Sequence, residues 1–209
     1  MPLRRNDGRI RLFVIGATGR TGRLLVEQSL GRGHRVTAFV RNPASLGPLT
    51  NLDILVGDPR NADQLATALP GHDVVVSTLG QSSAADGTLL RDAASALVVA
   101  LQRTSVRRAI VVSQGLAFPS GNPIVLLIRW VLAKILADSM AMERLAQSAD
   151  IDWTIVRPPM LKSGGVAHGY RVHPDEVGSR WSMQRVDLAA FLLDEAEKGE
   201  YRRAVVGVD

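Results

Sequence analysis

The 209-residue chain contains no cysteine. That single absence removes disulfide frameworks, thiolate zinc sites, iron–sulfur clusters and thiol nucleophiles. Aromatic residues are scarce: four phenylalanines, three tryptophans and two tyrosines leave few rings for stacking on bases. Only Lys134, Lys162 and Lys198 are lysines, so arginine supplies nearly all the positive charge behind a formal net charge of +5. The arginines are scattered rather than clustered, and no nucleic-acid partner is expected from them. Long apolar runs are missing as well. The stretch 1–11 is charged, and the apolar run that follows it is too short for an export signal. The most apolar segment, 124–136, carries Arg129 and Lys134 and falls short of the ~20 residues that a membrane span needs. His34, His72, His168 and His173 are dispersed with no paired carboxylates nearby, so no metal site is expected. No Gly-x-Ser-x-Gly turn offers a hydrolase nucleophile. The chain reads as cytoplasmic, with no membrane span.

The residues that are present alternate in period. Short β-branched runs at Ile10–Ile15, Arg35–Val40, Asp53–Val56, Asp73–Thr78, Arg107–Ser113, Trp153–Val156 and Ala204–Val208 are strand candidates. Most are nearly continuous apolar runs, as expected for parallel strands covered on both faces. Between them lie helical patterns at Thr21–Arg32, Ala62–Leu69, Leu89–Arg103, Pro123–Ser148 and Val186–Lys198, with Asn61 and Asp187 as candidate N-terminal caps. This alternation predicts one α/β domain over 1–209, a doubly wound, mostly parallel sheet of about seven strands with helices on both faces. The segment 158–184 lacks periodicity and is rich in glycine, serine and histidine. A loop of that length predicts a substrate-side lid.

The first strand runs into Gly16-Ala-Thr18-Gly19-Arg20-Thr21-Gly22 and then a helix. A glycine loop between strand and helix is the context of a dinucleotide phosphate site. Gly16 permits the tight turn, Gly19 admits the pyrophosphate, and Gly22 lets the helix pack closely on the strand. The helix N-terminus then receives the phosphates. The second strand ends in Arg41, nineteen residues after Gly22, where an NAD site would place an acidic residue. Arginine there pairs with the 2′-phosphate of NADP instead, and Arg20 offers a second positive contact. NADP(H) is therefore the expected cofactor.

The loop, together with Val-Arg-Asn-Pro43, Gly57-Asp58, Val-Ser-Thr-Leu-Gly80 and Thr-Ile-Val-Arg-Pro-Pro159, resembles the atypical short-chain dehydrogenases that bind NAD(P)H. The biliverdin-IXβ/flavin reductases and the NmrA-like proteins are the branches it is most similar to. The resemblance implies a Rossmann fold, with Asp58 bordering the adenine and Leu79–Gly80 passing the adenosine ribose. It also implies Ser113 near the nicotinamide and Pro158, Pro159 and Met160 behind the ring.

One departure narrows the chemistry. Standard short-chain dehydrogenases use Tyr-x-x-x-Lys, but Tyr170 is followed four positions later by Pro174 and Tyr201 by Val205. The long helix offers Asp138, Ser139 and Glu143 in that region, none with an evident activating partner, and Ser113 reads as a serine without a base. Ordinary ketone reduction loses support. Hydride transfer to a small conjugated acceptor (a flavin, quinone or tetrapyrrole) remains, because its proton can come from water. Ser113 is then the candidate catalytic residue, in an orienting role. The alternative is a non-catalytic NADP(H) sensor of the NmrA-like kind. The apolar segment 123–137 is assigned to core plus a homodimer interface.

Overall fold

The computed structural model describes residues 8–43, 47, 49–81 and 87–209. Parallel strands need long crossovers, and the chain supplies them as helices. β1 (Arg11–Ile15), β2 (Arg35–Val40) and β3 (Leu52–Val56) are followed by β4 (Val74–Ser77), β5 (Arg108–Val112) and β6 (Asp152–Arg157). Helices α1 (Arg20–Gly31), α2 (Ala62–Ala68), α3 (Leu89–Gln102), α4 (Pro123–Val131) and α5 (Ala133–Ser148) lie between them. The chain then forms β7 (Met160–Lys162), β8 (Val172–Pro174) and β9 (Ser182–Gln184), and closes with α6 (Arg185–Lys198) and β10 (Ala204–Val208).

Eight strands form the main sheet in the order β3-β2-β1-β4-β5-β6-β10-β8, and β7 pairs with β9 in a separate ribbon. Only β8 runs antiparallel within the main sheet. The seven expected strands are all present within two residues of their expected ends. The eighth, β8, and the β7–β9 ribbon come from 158–184, the stretch read as irregular. Three-residue strands are too short to show a period, so they escape a pattern search.

The core lies on both faces of the sheet. On one face Leu12, Val14, Val36, Val74 and Val76 pack with Leu25 of α1 and Leu188 and Leu192 of α6. On the other, Phe13, Ile15, Val75 and Val111 pack with Leu97 and Leu101 of α3 and Met142 of α5. Successive side chains point to opposite faces, so one unbroken apolar run feeds both layers.

Three expectations need correction. The single helix expected over Pro123–Ser148 is two helices that meet at Leu132. No residue of α4 is buried, against its assignment to the core; Ile124, Leu127, Trp130 and Val131 are all more than half exposed. Asp187 is not the cap of α6. Gln184 holds that position, and Asp187 lies one turn inside the helix, where its carboxylate accepts the backbone N–H groups of His168 and Gly169. It ties down the loop instead. Asn61 does cap α2, accepting from the Asp63 and Gln64 backbone.

Candidate functional site

The strand order reverses between β1 and β4: β2 and β3 lie on one side, β5 and β6 on the other. Ligands in doubly wound sheets bind in the crevice outside the carboxyl ends of the strands at this point. Gly16 follows β1 there and Thr78-Leu79-Gly80 follows β4. The two exits are stitched together, since the Thr78 hydroxyl reaches the carbonyls of Ile15 and Gly16 at 3.2 Å.

Each loop glycine has a distinct steric reason. Gly16 has φ +82°, a left-handed conformation that strains any residue with a Cβ. A Cβ on Gly22 would lie 2.2 Å from the Gly16 carbonyl oxygen and 2.8 Å from the Thr78 hydroxyl. The strand and helix approach too closely for a side chain there. Gly19 is the N-cap of α1 and makes no side-chain capping bond, so the first N–H groups of the helix keep their donors for a ligand. The Arg23 guanidinium donates to the Thr18 carbonyl and steadies the loop from below.

A cavity of ≈ 410 Å³ opens beside this loop, lined by Gly16, Thr18, Phe39, Val40, Arg41, Asn42, Pro59 and Leu79. Its size and apolar walls suit a nucleoside, and the structure thus brings Thr18, Arg41 and Leu79 to one place. Asp58 lies nearby but is held by its neighbour: Arg60 reaches its carboxylate at 2.6 and 3.0 Å. That hydrogen bond, with a smaller contribution from the Arg41 charge, keeps Asp58 below the usual carboxylate range. Arg41 itself is exposed and has no ion-pair partner among the described residues. Arg20, at the start of α1, lies outside the lining of this cavity. Its charge instead adds to burial in pushing the Arg185 guanidinium pKa down. Thr21 and Gly80 border the same crevice by position.

At the other end of the crevice, Ser113 follows β5. Its backbone N–H bonds the Val156 carbonyl at 2.7 Å, and its hydroxyl donates to Oε1 of Glu143 on α5. Glu143 also receives the Arg157 guanidinium through Nε at 3.0 Å and Nη2 at 2.5 Å. Arg157 in turn lies over the Phe118 ring, 4.5 Å from its centre. Ser113 therefore has a carboxylate partner, which corrects the expectation of an isolated hydroxyl. Its proton is directed to Glu143, leaving its oxygen lone pairs as acceptors. Gly115 then meets Pro158 backbone to backbone, N–H to carbonyl at 2.7 Å. This places Pro158 buried and Pro159 half-buried beside β5, while Met160 is 64% exposed.

The polar residues of α5 have structural partners. Asp138 accepts the Leu90 and Arg91 backbone N–H groups at 2.9 and 3.0 Å, capping α3 from another helix, and also bonds Gln81. Ser139 accepts from Gln114 at 2.9 Å. Neither tyrosine stands near Ser113 in the hydrogen-bond network. The Tyr170 hydroxyl donates to Asp194, two helical turns along α6 from Asp187, and burial and then that carboxylate raise its pKa. Tyr201 precedes β10, at the amino ends of the parallel strands, whereas Ser113 follows β5 at their carboxyl ends. Sequence reasoning missed Arg157 and the partnership of Glu143 with Ser113. The available signal was a charged residue closing an apolar strand and another within a helix, both positions where an unpaired charge is costly.

No helix among the described residues is long and apolar enough to cross a membrane, and no cluster of metal-ligating side chains is found among them. Among curated proteins, an isoflavone reductase homologue of Zea mays is 34% identical over 93 residues, 40% of this chain and 30% of the maize protein. The matched stretch thus spans less than a third of that relative. A short-chain dehydrogenase/reductase of Veillonella parvula, solved in complex with NADP, superposes with TM-score 0.79 at 20% identity, covering 95% of this chain and 94% of that one. A Streptococcus pneumoniae protein named as a candidate NADH-flavin reductase superposes with TM-score 0.78 at 22% identity, covering 95% and 98%. Both share the fold. The family model described as NAD(P)H-binding matches residues 16–198, taking in the glycine loop, the adenosine-sized cavity and the Ser113 region. With its strand order and glycine loop, the chain belongs to this NAD(P)H-binding family.

Proposed function

We propose that the protein is an NADPH-dependent reductase that passes hydride to a small conjugated or aromatic acceptor, of flavin, quinone or tetrapyrrole type. The observation that carries this reading is the crevice itself. It has an uncapped helix N-terminus and a nucleoside-sized cavity at one end, and a buried Ser113–Glu143–Arg157 network rather than a tyrosine–lysine pair at the other. The residues present fit a dinucleotide: Gly16, Gly19 and Gly22 admit its phosphates, and Thr18, Leu79 and Gly80 border its adenosine half. Arg41, which has no ion-pair partner among the described residues, holds a 2′-phosphate. Asp58 shapes the adenine edge while Arg60 neutralises it. Bound NADPH supplies the hydride. Ser113 accepts a hydrogen bond from the carboxamide or the acceptor, Glu143 orients Ser113, and Pro158, Pro159 and Met160 back the ring. Because no side chain in the network is placed as a general acid, the acceptor takes its proton from water.

The test is NADPH oxidation with flavin, quinone and tetrapyrrole acceptors. Turnover with any of them, faster than with simple ketones, is expected. Tight NADP(H) binding without turnover would overturn the reductase in favour of a sensor. A homodimer through 123–137 belongs to the same reading, because Ile124, Leu127, Trp130 and Val131 expose one apolar surface. Wild type should elute as a dimer and Trp130→Glu as a monomer; a monomeric wild type overturns this interface.

A further inference from the structure

A second cavity, of ≈ 500 Å³, lies on the acceptor side, walled by Lys162, His168, Arg180, Ser182, Met183, Gln184 and Asp187. Its chemistry is lopsided. Lys162 and Arg180 have no carboxylate within ion-pair distance among the described residues. The one acid, Asp187, is engaged by the His168 and Gly169 backbone N–H groups at 3.1 Å each. The Gln184 amide oxygen is buried and has no hydrogen-bond partner. Lys162 and Arg180 are exposed and stay solvated when unpaired, whereas the orphaned buried acceptor costs free energy unless a ligand or water completes it.

The ribbon connects this cavity to the crevice. Met160 pairs with Ser182 and Lys162 with Gln184. Residues two apart on a strand share a face and lie about 7 Å apart, so Lys162 stands one step along from Met160, behind the proposed ring position. Further out, Arg185 bonds the Ser163 hydroxyl at 2.8 Å and feels the Arg20 charge.

We infer that this cavity is an anion subsite for the acceptor: Lys162 and Arg180 bind a phosphate or carboxylate on it, and Gln184 takes an N–H or O–H donor from it. The inference rests on the reductase reading and adds the class of acceptor, an anionic one. A neutral acceptor of the same ring system leaves both cations unpaired and binds less tightly.

The test is calorimetry on protein saturated with NADP+, comparing FMN with riboflavin and biliverdin with its dimethyl ester. The first pair isolates a phosphate and the second two carboxylates. At least one anionic partner should bind tenfold or more tightly than its neutral counterpart, as a charge-assisted hydrogen bond provides. Lys162→Met and Arg180→Met, each checked by thermal unfolding, should each reduce that ratio several-fold, and raised salt should do the same. Equal binding within both pairs, or an unaltered ratio in both variants, overturns the subsite. NADPH oxidation is read separately. Anion-selective binding without turnover would keep the subsite and overturn the reductase, whereas turnover without selectivity would do the reverse.

Discussion

Replacing Gly22 by alanine adds one methyl group where helix and loop approach each other closely. The new Cβ would lie 2.2 Å from the Gly16 carbonyl oxygen, 2.8 Å from Thr78 Oγ1 and 2.9 Å from the Ala17 Cα. Two of those atoms are backbone, so no flexible side chain can swing aside. Helix α1 or the loop must retreat by about 1 Å, and overpacking of this kind costs ~1–3 kcal/mol. For a chain of this size each kcal/mol lowers the melting temperature by ~2–4 °C, so a fall of roughly 2–12 °C is expected. The same displacement moves the α1 N-terminus, and NADPH affinity should fall by an order of magnitude or more. Gly31 provides the control on the same helix. A Cβ there meets nothing within 4 Å, and Gly31→Ala should stabilise by a few tenths to about 1 kcal/mol through helix propensity alone. Thermal unfolding with and without NADPH, and a direct NADPH titration, read both effects. If Gly22→Ala melted with wild type and bound NADPH normally, the close approach of strand and helix would be wrong.

Arg41→Ala should weaken NADPH by roughly ten- to a hundredfold and leave NADH little changed, since a charge-assisted bond is worth ~1.5–3 kcal/mol; equal affinity of wild type for both cofactors refutes the assignment. Ser113→Ala should slow turnover about tenfold or less, the effect of one orienting hydrogen bond, and a thousandfold loss in single-turnover kinetics would reveal a missed proton donor. Stability should fall in acid. Burial pushes Asp194 and Glu197 up, but hydrogen bonds from Tyr170 and Arg32 to Asp194, and from His34 and Arg32 to Glu197, leave both below the usual range. Their folded pKa values lie beneath the unfolded ones, so folding releases protons: the contribution is complete above about pH 4.5 and lost as pH falls through the folded values. A melting temperature at pH 3 equal to that at pH 6 would contradict this.

The sequence by itself determined the parallel sheet and the glycine loop between its first strand and helix. Both are local: an apolar run buried on two faces, a turn that only glycine accommodates at φ +82°, and an arginine at a fixed distance along the next strand are written in consecutive residues. Tertiary structure decided the partnerships. Ser113 and Glu143 are thirty positions apart, and only the packing of α5 against the end of β5 joins them; Asp138 caps a helix forty-eight residues away for the same reason. The β7–β9 ribbon, with Lys162 beside Gln184, was likewise invisible, because three-residue strands have no period and their register is set by the surface that receives them. Asp187 shows the limit most clearly. Its position at the start of a helix suggested a cap, but the chain that returns at His168 and Gly169 supplied better donors, and the carboxylate went to them.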